Sequence, residues 1–361
     1  MSTRELWTKF CRDLEAAGDA VFTSDLAGSQ LDEAEGVRYL TRLLRIGLDM
    51  HLENADPAHP SFYQASHATA KIGADNPDNF YQNATISGAH SYRIWGKRGS
   101  VPILSFATKA NRYAIDGSMA STGEIDIRDV DVAADGSFEI FASKDEQQSN
   151  WLPLEDDSSI LIVRQTFFDK TEETAATVNI QTIDSSPAIA VEESLKTPIP
   201  LTLETLETAL ARVPAFVGGT SGIFRQWAEQ FRSENKNQLN TADQSMFVKA
   251  GGDPMIYYLH GWWELADDEA LQITSPIPDC EGWNFQLNNV WMESLDYRHH
   301  QIHLNNESAV PNGDKSVTLT VSHKPTAQNW IDTAGHSRGS MLWRWTGASD
   351  HPIPKVKVIN V

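Results

Sequence analysis

The sequence predicts an α+β protein built from two related antiparallel β-sandwich units, with helical segments before and between them. Three observations carry this. Apolar residues alternate with period two across residues 84–184 and again across 255–361, the spacing of half-buried strands. They recur at helical spacing within residues 1–83 and 185–254. The two strand-rich stretches also share a long internal match, the signature of a repeated unit. The expected organisation is an N-terminal helical segment (1–83), a first sandwich unit (84–184), a helical connector (185–254) and a second sandwich unit (255–361).

At the N-terminus, Ser2 followed by Glu5 fits a capping box, in which each side chain satisfies the other residue's backbone N–H. Leu6, Phe10, Leu14 and Ala17 then fall on one helical face. A second helix is expected from about Asp32 to Leu52, with Val37, Leu40, Leu44 and Leu48 as its apolar stripe, stopped by the prolines of NADPAHP. The polar run KIGADNPDNFY (71–81) reads as a structural loop between the helical part and the first sandwich, because DNPD is a strong turn former. YRIWGK, PILSFATK, EIDIRDV, GSFEIFAS and SSILIVRQTF are short β-branched or aromatic segments separated by turn residues. Leu203, Leu206, Leu210, Val213, Ile223, Phe224, Trp227 and Phe231 restore the helical period, and GGTSGIF (218–224) reads as a helix cap with Ser221. From Met255 the strand pattern returns.

The repeat lays ADGSFEIFASKDEQQSNWLPLEDDSSILIVRQTF over GDKSVTLTVSHKPTAQNWIDTAGHSRGSMLWRWT. Each copy reads Asp-x-Ser, an alternating strand, Asn-Trp, a turn, and a strand holding an arginine. The shared residues, Asn150 and Asn329, Trp151 and Trp330, Arg164 and Arg344, are expected to be structural: a tryptophan anchoring a loop, an arginine satisfying carbonyls or a carboxylate. Only the second copy carries Asp332, Thr333, His336 and Arg338, which leaves those residues free for chemistry.

Charge narrows the function. Against 29 Lys and Arg stand 49 Asp and Glu, a formal charge of -20, which disfavours nucleic acid and anionic membrane surfaces as partners. The N-terminal stretch lacks the apolar core of a secretory signal, so a cytoplasmic location is expected. The two cysteines, Cys11 and Cys280, form no Cys-x-x-Cys, which argues against a disulfide framework or a cysteine zinc site. There is no Gly-x-Ser-x-Gly elbow and no phosphate-binding loop, so nucleophilic hydrolysis and nucleotide binding have little support.

Five segments, AEGVRYLTRLLRIGL, KIGADNPDNFY, YRIWGKRG, NNVWMESLDYR and NWIDTAGHSRGSMLWRW, resemble bacterial proteins of the domain of unknown function 1214 family, in a stand-alone long form. The resemblance covers nearly the whole chain and implies a β-sandwich of jelly-roll or immunoglobulin-like character. Its biochemistry is mostly unassigned, and long-form members occur in bacteria that degrade aromatic compounds or steroids.

The candidate catalytic residues are His336, Asp332, Tyr297, His303 and Arg344. Asp332 would orient His336 as a general base, Tyr297 and Arg344 or Arg298 would stabilise a developing oxyanion, and His303 would be the second titrating group. Trp291, Trp330, Arg298, Asn289, Lys71 and Tyr81 are candidate substrate-binding residues. In the run HHQIH, strand alternation lets only His299 and His303 converge, and a catalytic zinc would need a third ligand from His336, His323 or Asp332. With no HExxH or His-x-His-plus-carboxylate pattern, no metal is expected, and no cofactor is expected either. Seven of the eleven tryptophans fall in the last hundred residues, where they can line an apolar pocket, fill a core or bury a subunit contact. Alternation puts Trp343 and Trp345 on one face and Arg344 on the other.

The expectation is a cofactor-independent acid–base enzyme of lyase or isomerase type. Its substrate would be a small hydrophobic molecule, a lignin-like phenolic or a steroid-like compound, in a catabolic pathway. The alternative is a non-catalytic tandem sandwich binding an aromatic or carbohydrate ligand, and a homo-oligomer is compatible with either.

Overall fold

The computed structural model describes residues 1–113, 115–183, 198, 200–326 and 328–361. The expected boundary at residues 184 and 185 lies outside the described residues. Helix α1 (Thr3–Ala17) starts at the expected capping box: the Ser2 hydroxyl accepts from Glu5 N–H, and the Glu5 carboxylate accepts from Ser2 N–H. A single turn, α2 (Asp19–Phe22), follows. Helix α3 (Gln30–Leu48) runs on into a π-turn over Asp49–Glu53.

The stripe expected on α3 is displaced. Tyr39, Leu43, Ile46 and Met50 are buried, Leu40 and Leu44 only partly so, and Val37 is 50% exposed. The cause is a polar contact: Asp32 and Glu35 are buried against the second sandwich, which rotates the buried face away from Val37.

Eight strands make the first unit: β1 (Asn79–Thr85), β2 (Ser91–Lys97), β3 (Ile103–Arg112), β4 (Ser118–Asp126), β5 (Ser137–Ser143), β6 (Trp151–Pro153), β7 (Ile160–Thr166) and β8 (Thr177–Ile183). They form two four-stranded sheets, in the orders β1-β7-β3-β4 and β6-β5-β2-β8. Between them lies a core of Tyr92, Ile94, Leu104, Phe106, Phe138, Ile140, Leu161 and Val163. Helix α4 (Leu203–Glu234) and the short α5 (Gln244–Lys249) follow, with β9 (Gln238–Thr241) between them. Ser221 caps nothing: it lies inside the 32-residue α4, its hydroxyl donating to the Val217 carbonyl. Packing does not demand the neighbouring glycines: a Cβ at Gly218 would make ordinary contact with Ala17 of α1 at 3.5 Å, and one at Gly222 would meet open space.

The second unit repeats the first: β10 (Ile256–Glu264), β11 (Glu269–Pro276), β12 (Gly282–Leu287), β13 (His303–Asn305), β14 (Ser316–Ser322), β15 (Trp330–Asp332), β16 (Arg338–Thr346) and β17 (Lys355–Asn360). Its sheets, β10-β16-β12-β13 and β15-β14-β11-β17, are the first unit's orders strand for strand. Even the one parallel pair recurs, β5 with β6 and β14 with β15. Asn150 and Asn329 both sit at positive φ (51° and 58°), and each side-chain amide donates to a carbonyl of the preceding strand, Glu139 or Thr318. The indoles of Trp151 and Trp330 donate to the carbonyls of Ser143 and Ser322. In the second core, Trp283 stacks on Trp343 with centroids 4.9 Å apart, and Trp345 packs beside them. The outer faces of the β1 and β10 sheets meet α3 and α4 in a third, central core. No helix among the described residues is long and apolar enough to cross a membrane.

Candidate functional site

The central core holds a partly open cavity of about 170 Å³ between the two units. Its floor comes from the edge strand and its neighbour in each of two sheets, β1 with β7 and β10 with β16, and register makes it a set of matched pairs. Tyr81 on β1 lies opposite Arg164 on β7, and Tyr258 on β10 lies opposite Arg344 on β16. Two residues along, Asn83 faces Ile162 and His260 faces Leu342. All eight side chains line the cavity. The opposite wall is apolar: Phe216, Phe224 and Trp227 of α4, with Met50, Met119 and Phe247. Flat aromatic walls with a few convergent polar groups suit a small ring-containing molecule.

The arginines are held by loops exchanged between the units. Arg344, in the second unit, donates to the carbonyl of Ala74, in the loop ahead of the first unit's β1. Arg164, in the first unit, donates to the carbonyl of Gly251, in the loop ahead of the second unit's β10. Ala74 and Gly251 both take positive φ (57° and 98°). Two residues on, the backbone N–H groups of Asn76 and Asp253 donate to the hydroxyls of Tyr81 and Tyr258 at 3.1 and 2.9 Å. The loop 71–79 is therefore not confined to the junction of helices and first sandwich. Asn76 and Asp78 accept from Asn284 at 2.6 and 2.9 Å, and Asp75 accepts from the Ser294 N–H and hydroxyl at 3.0 and 2.9 Å.

Burial sets the protonation states here. It pushes the Tyr81 phenol up despite the nearby Arg344 guanidinium, and the Tyr258 phenol to about 12, so both are protonated donors at neutral pH. Burial, with Arg344 adding to it, drops His260 to about 3, leaving a neutral imidazole stacked on Phe231 at 4.7 Å. Arg344 is also lowered by burial, but starts so high that it stays charged.

Of the residues expected from sequence, Arg344 and Tyr81 line this cavity, and Lys71, Tyr297, His303, Trp291, Trp330, Arg298, Asn289, Asp332 and His336 do not. Asp332 does not orient His336: its carboxylate bonds His300 Nδ1 at 2.7 Å and the Ala334 N–H at 2.8 Å. His336 is buried, and its Nε2 meets Glu35 of α3 at 2.9 Å. Burial alone would lower its pKa; the hydrogen bond and charge of Glu35 outweigh that and raise it. Asn289 donates to both Glu35 and Glu293, and Glu293 pairs with Arg42, so these residues form a buried polar seam between α3 and the second unit. His303 Nε2 meets Asp78 at 3.0 Å, the Trp291 indole donates to the Asp32 carbonyl, and Arg298 is a surface partner of Asp296. Lys71 is buried, donating to the carbonyls of Ser294 and Leu295, with its ammonium 4.8 Å over the Tyr297 ring. Among the described residues no group of three or more His, Cys, Asp or Glu side chains is placed to hold a metal.

Sequence reasoning passed over Tyr258 and His260 and took Arg164 as structural only. A signal for Tyr258 was present: Asn76-Pro77 followed by Tyr81, and Asp253-Pro254 followed by Tyr258, repeat one short motif ahead of each unit.

The model of the family described as "Protein of unknown function (DUF1214)" matches residues 81–167, the part of the first unit from β1 to β7. The crystal structure of an uncharacterised protein from Burkholderia cenocepacia is 46% identical, with a TM-score of 0.93, over 98% of this chain and 96% of that one. The VPA0106 protein from Vibrio parahaemolyticus superposes with a TM-score of 0.50 at 12% identity, over 96% of this chain and 100% of that one, a likeness of fold alone. No curated protein matches the chain.

Proposed function

The chain belongs to the DUF1214 family of proteins of unknown function, and from that premise we propose that it binds a small, single-ring aromatic molecule in the cavity between its two units. One observation carries this reading: the matched floor of Tyr81, Tyr258, Arg164 and Arg344 faces an aromatic wall across a partly open space of about 170 Å³. An apolar protein cavity of about 150 Å³ accommodates benzene. That size supports one ring with a few further atoms over the steroid-like alternative.

Acid–base chemistry of lyase or isomerase type, in a cytoplasmic route that breaks down aromatic compounds, is the narrower form of the proposal. The groups it would use are Tyr81 and Arg344. The Tyr81 hydroxyl accepts from Asn76 N–H and lies near the Arg344 guanidinium, so its own proton can serve a developing oxyanion. Burial keeps the Tyr81 and Tyr258 phenols and the His260 imidazole uncharged at neutral pH, which favours binding as the broader statement.

The test is a panel of single-ring phenols and aromatic acids, read by thermal shift and by quenching of Trp227, with mass spectrometry for product. Ring compounds should raise the melting temperature of the native chain and not that of Ile162→Phe, which fills the cavity floor. A panel without any shift, or shifts that survive in Ile162→Phe, would sink the reading.

A further inference from the structure

The two halves of the cavity floor match in backbone but not in how they treat their arginines. Arg344 Nη1 is occupied: it donates to Gln286 Oε1 at 2.5 Å and to Asn284 Oδ1 at 3.3 Å. Register gives the counterparts in the first unit. Asn284 lies opposite Arg344 as Ser105 lies opposite Arg164, and Gln286 lies opposite Leu342 as Ala107 lies opposite Ile162. Neither counterpart serves Arg164. Ala107 has no acceptor, and the Ser105 hydroxyl donates to Asp253 at 3.1 Å. Arg164 Nη1 is left without a hydrogen-bond partner, on a side chain only 8% exposed that lines the cavity.

Burial opposes its charge, but the carboxylates of Asp253 and Glu124 outweigh that and raise its pKa, so what Nη1 lacks is a hydrogen-bond acceptor and not a counter-charge. Asp253 is the nearest carboxylate, 3.8 Å from Arg164 Nη1, too far for a hydrogen bond, and its oxygens already take the Ser105 hydroxyl and the Met255 N–H. The neighbouring Lys109 ammonium is fully buried and taken up by Glu124. Arg344 has only neutral partners. Asp75, also on the lining, is spent on Ser294 beside the Lys71 ammonium. Buried guanidinium N–H groups are rarely left unpaired, because each keeps the cost of losing water without a return.

We infer that the ring-containing ligand is an anion, a small aromatic carboxylate, and that its carboxylate is received by Arg164 Nη1 while its ring lies against Phe216, Phe224 and Trp227. This deepens the proposed function and rests on it. A carboxylate matches the planar guanidinium and supplies the acceptor that Gln286 supplies to Arg344. The protonated Tyr81 hydroxyl, which accepts from Asn76 N–H, adds a second donor at that end, whereas the Tyr258 hydroxyl points its own proton at the Asp253 carbonyl.

The experiment is calorimetric titration of the full chain with phenylacetate and with its neutral isostere phenylacetamide. Phenylacetate should bind about 10- to 100-fold more tightly, the range of one charge-assisted hydrogen bond. Arg164→Gln should erase the difference. Because that variant also loses a bond to the Gly251 carbonyl, Ala107→Gln is the companion: it offers Arg164 the acceptor present in the second unit, and should abolish the preference for the acid in a chain that still melts cooperatively. Equal affinity for acid and amide overturns the inference while leaving the cavity reading intact. A preference that persists in both variants also overturns it. If neither compound binds and no other single-ring compound does, the cavity reading falls and takes the inference with it.

Discussion

Removing the carboxylate of Glu35 tests whether His336 is a structural ion-pair partner. Both side chains are buried, at 8% and 7% exposure, and meet at 2.9 Å across 301 residues of chain. Burial opposes charge on each, but the pair outweighs it: the His336 pKa is raised above 6.5 and the Glu35 pKa is lowered below 4.5. A raised histidine contributes stability fully below its free value near 6.5, and loses it as pH climbs through the folded value. A lowered carboxylate contributes fully above its free value near 4.5, and loses it as pH falls through the folded value. The window of maximum contribution is therefore between those two free values. A hydrogen bond between charged groups is worth about 1.5–3 kcal/mol. Urea unfolding of the native chain, Glu35→Gln, His336→Ala and the double variant gives the coupling directly, because contributions from Arg42 and Glu293 common to all four cancel. At pH 5.5 the coupling should lie in that range, and by pH 9 most of it should be gone. A coupling under about 0.5 kcal/mol at pH 5.5, the level at which distant sites simply add, or one that grows with pH, would refute the pairing.

Two further perturbations probe the core and the cavity rim. Trp343→Ala removes a fully buried indole stacked on Trp283 and should cost about 3–5 kcal/mol, seen as a lower urea midpoint. Gly73→Ala meets two obstacles, a φ of +58° and a Cβ that would sit 2.3 Å from Phe224. It should cost about 1–3 kcal/mol in backbone strain alone, and the displaced Phe224 should weaken ring binding in the same titration.

The sandwich pair was legible because strand alternation and the Asn-Trp repeat are local signals. Asn150 and Asn329 need positive φ, and that need is written within a few residues of each. Partnership across the chain was not legible. A helical period says which face of α3 is buried only when the neighbour is apolar; here Asp32 and Glu35 face the second unit, and Val37 is left outside. In the same way, the proximity of Asp332 and His336 in sequence suggested a pair, whereas the turn directs the carboxylate to His300 and the imidazole to α3. Arg344 was visible as a shared strand residue meant to satisfy carbonyls, and it does satisfy one, but on a loop 270 residues away. Its role at a cavity emerges only when both copies of that contact are seen together.

The exchanged loops bear on ancestry. A chain of one such unit would leave its arginine facing no carbonyl unless a twin lent its leading segment, so the simplest forerunner is a dimer with swapped arms. In such a dimer symmetry forces both guanidiniums to be treated alike. Joining two copies in one polypeptide lifts that constraint: glutamine can stand beside one arginine while alanine stands at the matching place in the other unit, and a symmetric seam acquires a direction.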